Sequence, residues 1–292
     1  MFSATVFWAL SATLARFVFR DRHVDSLVAV ELRLAIATLL LFAILVVARR
    51  DLLRIRMADA PYFLVLGLLG VASVQATYYY SIAHLVVNLA ILIQYLAPTL
   101  LVAFELVRGR WVGWSMIAAV ACALAGTALL VGGIDTRALG AGPLQWAVGF
   151  SSALSFAFYV KFSKRGLERY HPATVLFYTF LIAAAFWAIR TPPWVILSAG
   201  YGPDLWAMFA ALGIFSTLVP FSLFYAGLRW LPAAEASVIA TAEPLVVIVA
   251  AAVFLGERLG ALQLVGALLV LVAALLASRG KPEVTEAAVE RG

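Results

Sequence analysis

The sequence has little charge, few histidines and almost no cysteine. Only 12% of its 292 residues are charged, which is about half the usual fraction in soluble domains. The single cysteine, Cys122, excludes an intrachain disulfide and a thiolate metal cluster. His23, His84 and His171 lie far apart, and the chain has no HExxH or GxSxG motif and no pair of intramembrane aspartates. We therefore expect no metal, no cofactor and no enzyme activity, with an intramembrane enzyme as the distant alternative.

Apolar residues dominate instead: they make up 65% of the chain, and the mean hydropathy is +1.03. A helix needs about 20 mostly apolar residues to cross a bilayer, and ten runs approach or reach that length. They cover residues 2–20, 26–48, 61–81, 86–107, 111–132, 142–161, 172–190, 204–227, 233–255 and 259–278. We predict an all-α membrane protein with one transmembrane domain, residues 1–280, and a disordered cytoplasmic tail, residues 281–292.

Basic residues near the helix ends predict the orientation of these spans. If the N-terminus is cytoplasmic, fourteen Lys and Arg residues lie on the cytoplasmic side and five on the other side. The five are Arg20, Arg22, Arg137, Arg190 and Arg258. We therefore predict that both termini are cytoplasmic. No basic residues cluster on a soluble face, so nucleic-acid binding is not expected.

A tyrosine-rich segment that leads into a proline-centred apolar run occurs twice, 146 positions apart. Tyr79, Leu85, Ala90, Ile93 and Pro98 recur as Tyr225, Leu231, Ala236, Ile239 and Pro244. The two copies are separated by five spans, and because five is odd the second copy must be inverted in the bilayer. The repeat therefore predicts two inverted five-helix halves, residues 1–135 and 138–280.

Each repeated proline lies inside a membrane-length run, where it must interrupt the helical hydrogen-bond ladder. A repeated, broken intramembrane helix indicates a transporter whose substrate site lies between two halves. We predict that Pro98 and Pro244 act as hinges or shape the site, and simple kinks are the alternative.

Two stretches resemble the drug/metabolite transporter superfamily, EamA type. The stretch 225–276 contains Glu243-Pro244 and Leu255-Gly256-Glu257-Arg258-Leu259 and resembles the second repeat of that family. Residues 79–133 resemble its first repeat. The resemblance implies ten helices around a central cavity, alternating access, and a location in the bacterial inner (plasma) membrane.

The narrower resemblance is to YddG-type bacterial exporters of aromatic and hydrophobic amino acids. Trp8 and Arg33 fit the first two helices of the family, whereas Arg110 stands where the Gly-Glu pattern would place a glutamate. The resemblance implies export of small neutral metabolites, with aromatic and hydrophobic amino acids favoured. Another small metabolite or a drug is the alternative cargo.

Helical spacing predicts which side chains line the cavity. The candidates combine aromatic rings with uncharged hydrogen-bonding groups: Trp8, Ser11, Gln75, Tyr78, Tyr79, Gln94, Tyr95, Ser155, Tyr159, Phe221, Tyr225 and Thr241. Because Arg and Lys are absent from this set, a phosphate-bearing cargo is disfavoured and a net-neutral zwitterion is favoured. The alternative role is helix packing or an interfacial aromatic belt for Tyr78 and Tyr79, packing between helices for Gln75 and Gln94, and an anchor at the membrane interface for Trp8.

Charged residues within the runs are further candidates. Glu243 lies near the middle of its run, where it either holds the broken helix against a neighbour or titrates in a proton-coupled cycle. Its facing favours the structural role. Glu31 and Arg33 lie near a helix end and are predicted to extend towards the membrane surface. The predicted partners are a small-molecule substrate and the lipid bilayer, and no oligomeric state is predicted.

Overall fold

The structure, a computed structural model, describes residues 1–20, 22, 24–85, 87–132, 142–255 and 260–279. Within these ranges the chain is helical and has no strand, which confirms the predicted class. The helices are α1 (Phe2–Arg20), α2 (Ser26–Ala48), α3 (Ala60–Val65), α4 (Ser73–His84), α5 (Val87–Gln94), α6 (Ala97–Val107), α7 (Trp114–Val131), α8 (Pro143–Leu167), α9 (Pro172–Arg190), α10 (Pro193–Ser198), α11 (Pro203–Ala211), α12 (Val219–Leu228), α13 (Ala233–Ala240), α14 (Glu243–Leu255) and α15 (Ala261–Ser278). The predicted tail 281–292, Arg137 and the motif residues 256–259 lie outside the described residues.

Shorter elements connect some of these helices. A first π-helical segment, Leu66–Ala72, joins α3 to α4, and a second, Leu212–Leu218, joins α11 to α12. Two 3-10 turns, Arg50–Leu53 and Met57–Asp59, lie between α2 and α3. Because each π segment continues directly into helix on both sides, each joined unit is long enough to cross a bilayer.

Seven helical stretches are long and apolar enough to cross a membrane. They are Leu27–Ala48, Met57–Ile82, Leu89–Val107, Trp114–Val131, Pro172–Arg190, Pro203–Leu228 and Ala261–Ser278. They match seven of the ten predicted runs. The other three runs, 2–20, 142–161 and 233–255, are largely helical but are not among the seven, so the number of ten spans stays a prediction.

The surface of α2 shows why a bilayer suits this chain. Leu34 and Leu41 are buried on one side of the helix, whereas Leu39 is 66% and Val47 86% exposed. Water would penalise such exposure on a long helix, while lipid tails solvate the same side chains without cost. Asp25 begins the helix by accepting a hydrogen bond from the Leu27 backbone N–H at 2.8 Å.

Both proline-centred runs are interrupted. One helix ends at Gln94 and the next begins at Ala97, and in the second run the helix ends at Ala240 and resumes at Glu243. A proline has no N–H to donate to the carbonyl four residues earlier. That carbonyl belongs to Gln94 for Pro98 and to Ala240 for Pro244, the residues at which α5 and α13 end. The predicted interruption is confirmed at both positions.

The two π segments also lie 146 positions apart, and their glycines pack in a reciprocal way. A side chain at Gly67 would collide with Ile182 of α9 at 2.5 Å, and one at Gly213 would collide with Ile36 of α2 at 2.7 Å. Ile36 and Ile182 are themselves 146 positions apart. Each π segment therefore presses a glycine against a helix from the other part of the chain.

The helices α7 and α15 form a separate, closely packed pair. At Gly126 an added Cβ would lie 2.8 Å from the Gly266 carbonyl oxygen, and at Gly266 it would lie 2.8 Å from the Gly126 carbonyl oxygen. Two facing glycines therefore allow the backbones to touch. This is the small-residue packing that membrane helices use in place of a hydrophobic driving force.

The loop between α2 and α3 is held by the turn before α9 and by the first two turns of α9. The Tyr170 hydroxyl donates to Asp59 Oδ2 at 2.6 Å, the Thr174 hydroxyl donates to the Leu52 carbonyl at 2.8 Å, and the Tyr178 hydroxyl donates to the Leu53 carbonyl at 2.7 Å. These bonds connect parts of the chain more than 100 residues apart at one end of the bundle.

Candidate functional site

An arginine joins three helical elements inside the bundle. Arg33 of α2 donates from Nη2 to Gln75 Oε1 of α4 at 2.8 Å and from Nη1 to the Ser216 hydroxyl of the second π segment at 3.1 Å. Its Nε is buried without a hydrogen-bond partner. The sequence-based prediction that Arg33 extends towards the membrane surface is therefore wrong, because two polar side chains hold it inside the bundle.

The two helix breaks meet beside this arginine. Tyr95, in the turn between α5 and α6, donates from its hydroxyl to Glu243 Oε2 at 3.2 Å. Glu243 is the first residue of α14, where its negative charge is favoured by the free N–H groups of the helix start. Glu243 also interacts electrostatically with Arg33 and Tyr78. Glu243 and Arg33 thus lie within electrostatic range of each other, but the side-chain hydrogen bonds of Arg33 go to Gln75 and Ser216 and that of Glu243 comes from Tyr95.

Two tyrosine rings adjoin this charge pair. Tyr78 and Tyr79 meet edge to face with ring centroids 5.8 Å apart, and the Arg33 guanidinium carbon lies 6.0 Å from the Tyr79 ring centroid. That distance is at the limit of a cation–π contact. We call these residues the central cluster: Arg33, Gln75, Tyr78, Tyr79, Tyr95, Ser216 and Glu243.

A second group of predicted residues forms an aromatic cluster. Tyr159 of α8 lies 6.5 Å from Phe221, 6.3 Å from Phe224 and 6.0 Å from Tyr225, between ring centroids. Trp8 of α1 meets Phe221 edge to face at 5.2 Å. We define the aromatic cluster as Trp8, Tyr159, Phe221, Phe224 and Tyr225. Tyr159 and Tyr225 are both buried.

The remaining predicted residues lie outside both clusters. Ser155 shares a hydrogen bond of 2.9 Å with Ser73. Ser11 donates to the Trp8 carbonyl at 3.0 Å and Thr241 to the Val238 carbonyl at 2.6 Å, so both hydroxyls are used within their own helices. Gln94 is half-buried at the end of α5.

Pro98 and Pro244 are both buried. They lie in the first turns of α6 and α14, where the missing N–H removes no helical hydrogen bond. The structure thus places the two prolines at the breaks that bring Tyr95 and Glu243 together.

Arg33 and Ser216 belong to the central cluster although helical spacing did not select them. One signal was available for Arg33, because an ionisable residue within an apolar run is a functional candidate by default. Ser216 had no such signal, since a single serine in a helix commonly bonds its own backbone. Within the described ranges, no group of three or more His, Cys, Asp or Glu residues is arranged to hold a metal ion.

Comparison with known proteins identifies the family. The sequence model of the EamA-like transporter family matches residues 1–132 and residues 145–279. The chain belongs to this family. It is therefore an integral, multi-pass membrane transporter and not an enzyme.

Two relatives align with most of the chain. The uncharacterized inner membrane transporter YicL of Salmonella typhimurium is 27% identical over 284 residues, which cover 94% of this chain and 92% of the relative. An uncharacterized transporter of Archaeoglobus fulgidus is 28% identical over 204 residues, which cover 70% and 72%. Neither name specifies a substrate.

A solved crystal structure has the same fold. Its chain superposes with a TM-score of 0.78 at 20% identity, covering 95% of this chain and 94% of its own. A likeness at this identity concerns the arrangement of helices only, because one membrane fold carries many cargoes.

Proposed function

We propose that this transporter exports small zwitterionic metabolites, most favourably amino acids with aromatic or hydrophobic side chains, by alternating access. The observation that carries this proposal is the placement of Arg33 and Glu243 within electrostatic range of each other among tyrosine rings. A free amino acid presents a carboxylate, an ammonium group and a side chain. The central cluster offers a guanidinium, a carboxylate and aromatic rings.

Arg33 adds a cation to a lining that was predicted to have none, but the same class of cargo is supported. A lining without cations was expected to select a net-neutral solute, and Arg33 contradicts that premise. A cation and an anion in one lining still favour a net-neutral solute with separated charges. The carboxylate of such a solute replaces an interaction of Arg33, and its ammonium group replaces an interaction of Glu243. Arg33 retains unused donors for a carboxylate, including its buried Nε.

We propose the same substrate-binding residues as the sequence indicated, together with Arg33 and Ser216. We expect Glu243 and the residues around it and Arg33 to contribute most to substrate binding: Gln75, Tyr78, Tyr79 and Tyr95. The aromatic cluster would receive the apolar side chain of the cargo, since ring pairs contribute about 0.5–1.5 kcal/mol beyond burial. Trp8, Tyr159, Phe221 and Tyr225 belong to this part of the site.

We also propose that the chain has ten spans in two inverted halves, 1–135 and 138–280. Several features support this. The breaks recur at one spacing of 146 residues, the π segments recur at the same spacing, and the glycine–isoleucine contacts at Gly67 and Gly213 are reciprocal. Pro98 and Pro244 would then act as hinges at the faces where the halves meet.

The proposed setting is the bacterial inner membrane, with both termini cytoplasmic. Support comes from the excess of arginine and lysine at one set of helix ends. A fusion reporter at the C-terminus tests the orientation. Activity of a reporter that functions only outside the cytoplasm would contradict it.

The cargo is tested with purified protein in liposomes. We expect labelled phenylalanine to exchange against unlabelled phenylalanine, but not against phenylalanine amide, which lacks the carboxylate, or 3-phenylpropanoate, which lacks the ammonium group. Equal competition by all three compounds would contradict recognition of a zwitterion. Failure of every amino acid in a broad panel would leave the family assignment intact and remove the proposed cargo.

Substitutions test whether the central cluster recognises the cargo. Arg33→Gln should abolish exchange of phenylalanine, whereas Arg22→Gln is the matched control, because Arg22 is exposed and pairs with Asp204 at 2.6 Å. Equal loss in both variants would contradict a specific role for Arg33. Correct folding of each variant is checked by its thermal transition in detergent.

A second candidate is proton-coupled export through Glu243, because an ionisable side chain within a membrane-length run is a candidate proton carrier. In such a cycle the carboxyl group of Glu243 would alternate between a protonated form and an ionised form that interacts with Tyr95 and Arg33. Exchange in liposomes with and without an imposed pH gradient separates the two mechanisms. Accumulation of cargo against its gradient only when the pH gradient is present would favour coupling.

A further inference from the structure

A groove of about 280 Å³ lies between α9 and α12, at the end of the bundle where α9 begins and α12 ends. Its lining is His171, Pro172, Ala173, Leu176, Ser222, Ala226, Arg229 and Trp230. Most of these side chains are small or apolar. The polar ones, His171 and Arg229, flank the helix ends. The groove is separate from the residues assigned to the substrate site.

Contacts around α12 determine which way the groove faces. A side chain at Gly227 would collide with Met1, Phe224 meets Trp8 of α1, and Tyr225 bonds Ser163 of α8. Ser222, Ala226 and Arg229 follow i, i+4, i+7 spacing and lie on a different face. Ala226 is exposed and Trp230 is 72% exposed. The groove therefore opens on the outer surface of the bundle.

The end of the groove is cationic. The Arg229 guanidinium carbon lies 5.5 Å from the Trp230 ring centroid. Lys164 Nζ donates to the Leu228 and Arg229 carbonyls at 3.1 and 2.9 Å, which places a second cation at the end of α12. Arg49 adds a third positive charge near His171. Its charge is balanced by Asp51, whose Oδ2 lies 3.1 Å from Arg49 Nη2.

The His171 ring can donate a hydrogen bond in its neutral form. Its Nδ1 accepts the Ala173 backbone N–H at 3.2 Å, so a neutral ring carries its proton on Nε2. Burial, and after it the positive charges of Arg229 and Arg49, lower the pKa of His171. The ring is therefore uncharged at neutral pH and presents one N–H next to the Arg229 guanidinium.

These groups lie at the depth of lipid headgroups. Two membrane-crossing stretches have an end here, Pro172–Arg190 and Pro203–Leu228, and Trp230 follows as an exposed tryptophan typical of the membrane interface. Basic residues at such a position attract anionic lipids, and an apolar groove below them has the shape for an acyl chain.

We propose that this groove is a binding site for a glycerophospholipid with an anionic headgroup. Arg229 and His171 hold the phosphate, Trp230 packs at the level of the glycerol, and one acyl chain lies along Leu176, Ser222 and Ala226. Because α12 also carries Phe221 and Tyr225 of the aromatic cluster, the lipid contacts a helix of the transport pathway from its outer side.

The test uses the purified full chain in detergent and quenching of tryptophan fluorescence by lipids with brominated acyl chains. Brominated phosphatidylglycerol should quench a component of the fluorescence that is missing in Trp230→Phe. Phosphatidylcholine with the same acyl chains should bind at least about fivefold more weakly, since each basic residue at a membrane surface contributes about 1 kcal/mol. Equal binding of both lipids would overturn the proposal.

Two variants separate the headgroup from the groove. Arg229→Gln should weaken phosphatidylglycerol binding about fivefold, whereas the exposed cation Arg165 gives the matched control, Arg165→Gln. Ala226→Phe should block the acyl chain without changing the charge or adding a tryptophan, and Ala226→Ser should not. An unchanged affinity in both Arg229→Gln and Ala226→Phe would overturn the proposal, and so would displacement of the lipid by inorganic phosphate alone.

Discussion

The two helix breaks have the same backbone arrangement but different chemistry. In the first, α5 ends at Gln94 and the turn carries Tyr95, while in the second, α13 ends at Ala240 and the turn carries Thr241. The residue before the proline is Ala97 in one and Glu243 in the other. The backbone feature is common to both breaks, whereas only the second supplies a carboxylate.

The same asymmetry extends through the central cluster. At the repeat spacing of 146 residues, Arg33 corresponds to Thr179 and Gln75 to Phe221. Thr179 donates to the Val175 and Leu176 carbonyls of its own helix. The part of the chain before residue 135 thus contributes the cation and the Tyr95 hydroxyl, and the part after residue 138 contributes the anion and the Ser216 hydroxyl. The backbone geometry of the helix break is therefore kept at both positions, while the charged groups are divided between the two parts of the chain.

The largest effect should follow from removing the carboxylate. Glu243→Gln removes the negative charge that interacts with Arg33 and the charged acceptor of the Tyr95 bond, and a hydrogen bond to a charged group alone contributes about 1.5–3 kcal/mol. We expect the initial rate of phenylalanine exchange in liposomes to fall by more than about 100-fold. Glu168→Gln, at an exposed carboxylate beyond α8, is the control. A rate within about twofold of the wild type would show that the second break has no special role.

Restoring the helical ladder should have the next largest effect. An interior proline costs an α-helix about 3 kcal/mol, so Pro244→Ala favours a continuous helix, and we expect exchange to fall about 20-fold. Pro98→Ala closes a break that carries no carboxylate and should lower exchange about fivefold. Initial rates at matched protein density measure both. A larger loss in Pro98→Ala would reverse the ranking of the two breaks.

Removing the bond between the breaks should have an effect smaller than that of Pro244→Ala and larger than that of Pro98→Ala. Tyr95→Phe keeps the ring and deletes the hydroxyl that donates to Glu243. A hydrogen bond to a charged group contributes about 1.5–3 kcal/mol, so we expect about a tenfold loss of exchange. If the bond acts only through Glu243, the double variant Tyr95→Phe with Glu243→Gln will be no slower than Glu243→Gln alone. Additive losses would exclude that coupling.

The smallest effect is expected at the corresponding position of the second break. Thr241 donates its hydroxyl to the Val238 carbonyl of its own helix, so Thr241→Val removes a local bond and keeps the branched shape. We expect phenylalanine exchange to change by less than about twofold, because such back-bonds contribute little to a helix. A loss as large as that of Tyr95→Phe would show that this hydroxyl binds the cargo directly.

Much of the helical framework follows from local patterns. The positions at which α5 and α13 end are those that Pro98 and Pro244 require, because a missing N–H acts on the carbonyl four residues earlier. Seven of the apolar runs agree with stretches able to cross a membrane, because the length of a run is a property of consecutive residues. The family resemblance drawn from Tyr225, Glu243 and Pro244 is confirmed by the family match.

The candidate site was less accessible to such patterns. Helical spacing placed Gln75, Tyr78 and Tyr79 on one face, and the structure brings all three into the central cluster. The same reasoning selected Ser11 and Thr241, whose hydroxyls bond within their own helices. Spacing identifies a face of a helix, but it does not reveal which neighbouring helix that face meets.

The sequence by itself determined the membrane class, the transporter family and the two helix interruptions, because each depends on the chemistry of neighbouring residues along the chain. Only the tertiary structure decided that Arg33 turns inward to Gln75 and Ser216 and that Tyr95 reaches Glu243. Those contacts join residues 42, 183 and 148 positions apart. The physical reason is that burying a charge is tolerable only where partners converge on it, and that convergence depends on how the helices pack.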